Sequence, residues 1–266
     1  MPADPLPVPV YVNHYLCPAG MALPAFLDLV AHHGFCGAGL TQAALDEMPL
    51  AAIAKHLKDR GLGLSSLNSA GYFLDPGAEA RNRDLLDAAA ELGARALNVI
   101  VGGAGPLPLR EARARCADGL AKLAEDAQAR GVTLMLEPLH PNTVRFRSCI
   151  NSIAQAGALA AGLPATALNL DLFHLWWDPD LDRLCRGGME PPLALVQVCD
   201  VGGEIASGGL PRRVPLDEGG EDWRDLLRRI PAGVPVELEL FADQMPGRDI
   251  VPILAESAEL LGALRR

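Results

Sequence analysis

The chain has 266 residues, 50% hydrophobic and 21% charged, with 33 acidic against 23 basic side chains and a formal net charge of −10. Such a composition supports a full buried core and excludes a disordered tail protein. The absence of any basic run argues against a binder of nucleic-acid backbones.

In chain order, short apolar runs alternate with longer segments of helical spacing. The expected strands are VPVYVN (8–13), FCGAGL (35–40), LGLSSLN (62–68), ALNVIV (96–101), VTLMLE (132–137), TALNLDL (166–172), LALVQV (193–198) and VPVELELF (234–241). Amphipathic stretches lie at 24–33, 45–60, 78–92, 108–130, 150–161, 179–186, 221–229 and 249–264. Gly61 and Gly131 directly precede a strand and Gly93 stands just before one, the position of a helix-terminating glycine. Eight strand-helix units in a chain of this length predict a (β/α)8 barrel, with residues 1–266 as a single domain. A doubly wound sheet would open on a glycine-rich turn, whereas the first strand here runs into Asn13-His14-Tyr15. The glycines of VGGAG (101–105) read as a tight turn after the fourth strand.

Lysine occurs only at 55, 58 and 122, which narrows the scope for Schiff-base or phosphate-loop chemistry. The six cysteines, Cys17, Cys36, Cys116, Cys149, Cys185 and Cys199, form no CxxC pair and read as reduced, packed thiols of a cytoplasmic protein. The segment MPADPLPVPV lacks the basic and apolar regions of a secretory signal, and no apolar run reaches the ~18 residues of a membrane span.

A barrel of this kind carries its chemistry at the carboxyl ends of its strands. The fifth expected strand ends in Glu137. The sixth ends in Asp171, followed by His174. The seventh carries Gln197 and Asp200, and the eighth carries Glu237 and Glu239. Carboxylates in apolar strands are costly to bury unless something neutralises them. Several converging on one barrel mouth point to a divalent cation, and oxygen ligands suit Mg²⁺ or Mn²⁺. Glu237 and Glu239 share the parity of one strand, so both face the same side, one a layer deeper.

These motifs resemble the xylose isomerase-like barrel superfamily of sugar phosphate isomerases and epimerases. The resemblance is carried by LEPLHP (136–141), DLFHLWWDPDL (171–181), QVCDV (197–201) and RVPLDEG (213–219). It implies metal ligands at Glu137, Asp171, Gln197 and Glu239. Gln197 stands where histidine is commoner, although hydroxypyruvate isomerase-like members look similar in using glutamine. An amide oxygen remains a hard, neutral ligand. The resemblance further implies that His174 contacts a substrate oxygen or helps move its proton, and that Arg147 and Arg213 reach the mouth. His140, three residues after Glu137, is similarly placed for substrate.

The implied activity is metal-dependent isomerisation or epimerisation of a small sugar, sugar derivative or hydroxy-keto acid. It would run through an enediolate with Glu137 and Glu239 as acid and base, without organic cofactor or nucleophile. A lyase or dehydratase on the same barrel and a non-catalytic sugar-binding barrel are the competing readings. The expected partners are a small carbohydrate or keto-acid substrate and further copies of the chain, as a homodimer or homotetramer, with neither nucleic acid nor membrane.

Overall fold

The computed structural model describes residues 9–94, 96–203 and 211–263. Val8 and Leu264, at the edges of the expected first strand and last helix, lie outside them. Ten strands and ten α-helices follow in order among the described residues: β1 (Val10–Asn13), α1 (Leu23–His32), β2 (Gly37–Thr41), α2 (Gln42–Glu47), α3 (Leu50–Arg60), β3 (Gly63–Gly71), α4 (Ala78–Leu92), β4 (Ala96–Ile100), α5 (Leu109–Arg130), β5 (Thr133–Leu136), α6 (Ile153–Ala160), β6 (Thr166–Asp171), α7 (Leu172–Leu175), α8 (Leu181–Cys185), β7 (Leu193–Val198), β8 (Asp200–Gly202), β9 (Arg212–Val214), α9 (Trp223–Arg229), β10 (Val236–Leu238) and α10 (Ile250–Ala263).

Eight strands close into a barrel in the order β1-β10-β7-β6-β5-β4-β3-β2. The registers that fix neighbours are parallel, as between Asn98 and Met135 or between Glu237 and Gln197. Parallel strands buried on both faces need near-continuous apolar runs, and β1, β2 and β4 are buried along their whole length. The fold is thus the expected (β/α)8 barrel. Its residues group into two compact units, one of 1–65 with 196–266 and one of 66–195.

The helices follow from their apolar spacing. Leu23, Phe26, Leu27 and Val30 of α1 recur at helical intervals and are buried. Along α5 the same stripe runs through Ala112, Cys116, Leu120, Leu123 and Ala127. Gly61, Gly93 and Gly131 terminate α3, α4 and α5 with φ of 66°, 63° and 69°, where a side chain would be strained.

Three differences from the sequence expectation have a direct physical reading. The stretch 45–60 is two helices, α2 and α3, parted at Met48-Pro49. Proline disfavours the helical region at the residue before it, and Met48 is extended at φ −140°, ψ 149°. The eighth barrel strand is shorter than 234–241, although the amide of Glu239 still donates to Val198 O at 2.9 Å. Asp200 is not on the seventh barrel strand. It opens a separate antiparallel hairpin, β8 with β9. Its carboxylate accepts from the backbone amides of Val201, Asp217 and Glu221. That pattern makes it a turn-organising acid.

Candidate active site

Side chains alternate across a strand, so residues two apart share a face. In the unit of residues 66–195, Ala96, Met135, Ala167 and Leu195 form one buried cluster from β4, β5, β6 and β7. Two residues further along the first three strands stand Asn98, Glu137 and Asn169. The apolar layer therefore gives way to a polar one on the same face. Two residues beyond Asn169 comes Asp171, which ends β6, and α7 then brings His174 back within reach.

Glu137, Asp171 and His174 are buried, and each offers one ligand atom such that all three atoms lie within 4.8 Å of one another. Asp171 accepts from the amide of Phe173 at 3.0 Å, which caps α7, and its other oxygen lies 3.6 Å from His174 Nε2. Asn98 Nδ2 donates to Glu137 Oε2, and Asn169 Nδ2 donates to Asn98 Oδ1 at 3.2 Å. Two carboxylates and an imidazole form a donor set suited to a divalent cation. The amides that support Glu137 are neutral, so they hold it in place without cancelling its charge.

The unit built from 1–65 and 196–266 has its own acidic cluster. Glu237 is fully buried and accepts from Asn13 Nδ2 and Gln197 Nε2, both at 2.8 Å, and from the Ser65 hydroxyl. Glu239 receives the same two amide nitrogens at 3.3 and 3.1 Å and lies 2.9 Å from the guanidinium of Arg213. Arg213 is only 2% exposed. It also donates to Cys199 Sγ at 3.6 Å and lies 4.9 Å above the Phe241 ring. Gln197 thus turns its amide nitrogen toward the two carboxylates.

The remaining sequence candidates lie on loops. Half-buried His140 caps a 3-10 turn at Pro141–Thr143, accepting from the Asn142 amide through Nδ1 at 3.3 Å, and meets the Trp177 ring edge-on at 6.1 Å. Arg147 is half-buried, its backbone amide donating to Thr143 O at 2.9 Å. His14, just past β1, bonds Thr41 Oγ1 through Nδ1 at 2.9 Å and sits edge-on to Phe26. Burial there pulls its imidazole below the usual value, against an opposing pull from Glu47.

Sequence reasoning missed Asn13, Ser65, Asn98 and Asn169. A signal existed for Asn98 and Asn169, each a polar residue inside an otherwise apolar strand, Asn169 sharing its face with Asp171. The Arg213–Glu239 pair had no such signal, because no periodicity relates residues 26 apart on separate elements.

A closed (β/α)8 ladder with carboxylates and an imidazole clustered after its strands defines the class, a TIM barrel with a polar site at its strand ends. More narrowly, the chain belongs to the xylose isomerase-like TIM barrel family, whose sequence model matches residues 27–265. Among solved structures, protein SMc04130 of Sinorhizobium meliloti 1021 is 29% identical with a TM-score of 0.85, over 94% of this chain and 96% of the other. The IOLI protein, solved with a bound zinc atom, is 17% identical with a TM-score of 0.79, over 97% and 98% of the two chains. The 3-keto-D-glucoside 4-epimerase YcjR of E. coli is 18% identical with a TM-score of 0.77, over 96% and 99%. At those identities the last two share the fold. No curated protein matches the sequence.

No helix among the described residues is long and apolar enough to cross a membrane. All six cysteines are free thiols.

Proposed function

We propose that the protein is a divalent-metal-dependent isomerase or epimerase of a small sugar, sugar derivative or hydroxy-keto acid. The observation that carries this reading is the convergence of Glu137, Asp171 and His174 within 4.8 Å in a buried setting. Two buried carboxylates that close repel one another when both are ionised, and a cation between them relieves that cost. Family membership and the epimerase and zinc-bearing neighbours support it.

Glu137 and Asp171 hold the ion, of the Mn²⁺ or Mg²⁺ class. Gln197 and Glu239 are assigned as further ligands on the family pattern alone. A bound ion supplies Lewis-acid polarisation of a substrate carbonyl and its neighbouring hydroxyl. Glu137 and Glu239 act as base and acid, one removing a proton from carbon and the other returning one. His174 contacts a substrate oxygen beside Asp171. His140, Arg147 and Arg213 are assigned to substrate, Arg213 also offsetting the charge of Glu239. Residues 1–266 are read as one domain, with the closed strand ladder as support, and the chain as a homodimer or homotetramer in the cytoplasm.

The test is incubation of the Mn²⁺-loaded protein in D₂O with a panel of ketoses, aldoses and hydroxy-keto acids. An isomeric product carrying deuterium on carbon is expected. A product short of one water would assign a lyase instead, and sugar binding without metal uptake or exchange would assign a binding barrel.

A further inference from the structure

Glu137 stands one residue past the end of β5, with three rotatable side-chain bonds, so a defined ligand geometry needs an outside restraint. Two amides on the flanking strands supply one. Asn98, on β4, is 2% exposed and donates through Nδ2 to Glu137 Oε2. Asn169, on β6, is 1% exposed and donates through Nδ2 to Asn98 Oδ1 at 3.2 Å. The second bond matters because an asparagine amide is nearly symmetric in shape. Turned by 180°, Asn98 would present its oxygen to the carboxylate and repel it. The carboxylate, which only accepts, favours the nitrogen-facing sense, and by donating to the Asn98 oxygen Asn169 reinforces it.

We propose that Asn98 and Asn169 form a two-amide relay that positions Glu137, Asn98 fixing the carboxylate and Asn169 reinforcing the sense of Asn98. Both are positioning residues. The chemistry explains the residue type. A lysine or arginine at 98 would hold the carboxylate as firmly but would offset the negative charge that a cation needs. A neutral donor orients the group and leaves its charge in place. Outer partners that orient metal-binding carboxylates typically matter by 10–100-fold in affinity or activity.

The inference rests on the reading of Glu137 as a metal ligand, so the experiment tests the two separately. Mn²⁺ is titrated calorimetrically into the wild-type protein, Glu137→Gln, Asn98→Ala, Asn169→Ala and the double variant Asn98→Ala/Asn169→Ala, with thermal melting of each as the control for folding. Glu137→Gln is expected to abolish or severely weaken binding. Asn98→Ala should weaken it about 10–100-fold. Asn169→Ala should weaken it less, and the double variant should lose less than the sum of the two single losses, because Asn169 bears on Glu137 through Asn98. Should Asn98→Ala not fold, Asn98→Ser reports the same loss, since its hydroxyl ends one bond short of the amide nitrogen. Unchanged Mn²⁺ affinity in a folded Asn98 variant, with Glu137→Gln still defective, overturns the relay and leaves the metal site standing. Additive losses in the double variant overturn the role of Asn169. A wild-type protein that takes no Mn²⁺, or a Glu137→Gln variant that binds it normally, overturns the ligand role of Glu137 and the relay with it.

Discussion

Two acidic clusters differ in what meets one glutamate of each, a neutral amide at Glu137 and a guanidinium at Glu239. In the 66–195 unit, Glu137 is held by the neutral Asn98 amide and Asp171 by a backbone amide and the nearby His174 ring. In the other unit, Glu239 lies against the guanidinium of Arg213, and Glu237 is enclosed by Ser65, Asn13 and Gln197. The difference teaches that a strand-end carboxylate has no fixed role. An amide donor orients a carboxylate without adding charge, whereas a buried guanidinium orients it and adds a counter-charge. In the proposed function Glu137 and Asp171 hold the ion, and Arg213 offsets the charge of Glu239 in its own unit.

The sharpest way to break this contrast is substitution of the acids themselves. Glu137→Gln removes both an anionic ligand of the ion and a group able to move a proton, and turnover should fall by ~10²–10⁴-fold or more. Metal content is measured on the same preparation to separate the two losses. Glu239→Gln should reduce turnover similarly, while Glu237→Gln should lower the unfolding midpoint and spare Mn²⁺ uptake. If Glu237→Gln instead loses activity while Glu239→Gln keeps it, the strand-eight role belongs one layer deeper.

Next in size is the ion pair. Arg213→Met leaves Glu239 buried without its guanidinium, and breaking a buried pair from one side costs about 3–5 kcal/mol. Urea unfolding should show that loss, and adding Glu239→Leu should recover much of it. A single variant as stable as wild type would mean that Glu239 has another counter-charge.

Gln197→Leu should cost less, about 1–3 kcal/mol, by removing one amide donor from both Glu237 and Glu239. The smallest effect is a slope in stability against pH. Because burial lowers the His14 imidazole in the folded protein, the unfolded chain binds more protons below its own value of 6.5. Stability contributed by neutral His14 is thus fully present above about pH 6.5, declines as pH falls through the lowered folded value, and levels off below it. Unfolding midpoints at pH 7.5 and 5.5 should differ less in His14→Gln than in wild type.

Much of this was legible in the sequence, because local physics governs it. The helix 78–92 was read to the residue, since an amphipathic stripe ends on a glycine that takes a left-handed φ. Both Glu137 and Asp171 could be read as strand-end acids from the runs that precede them. The break at Met48-Pro49 was also written in the chain, as proline's effect on its predecessor, but the apolar spacing carried across it. By contrast, the hairpin of β8 and β9 has three-residue strands, too short to show any alternation. Arg213 reads as a mouth cation from sequence. Only the fold reveals that it is 2% exposed and paired to an acid 26 residues away.

The most direct test of the account is anomalous diffraction from crystals of the protein loaded with saturating Mn²⁺. A single strong peak is expected within about 2.3 Å of carboxylate oxygens of both Glu137 and Asp171. A peak bound elsewhere, or no peak beside those two side chains, would contradict it.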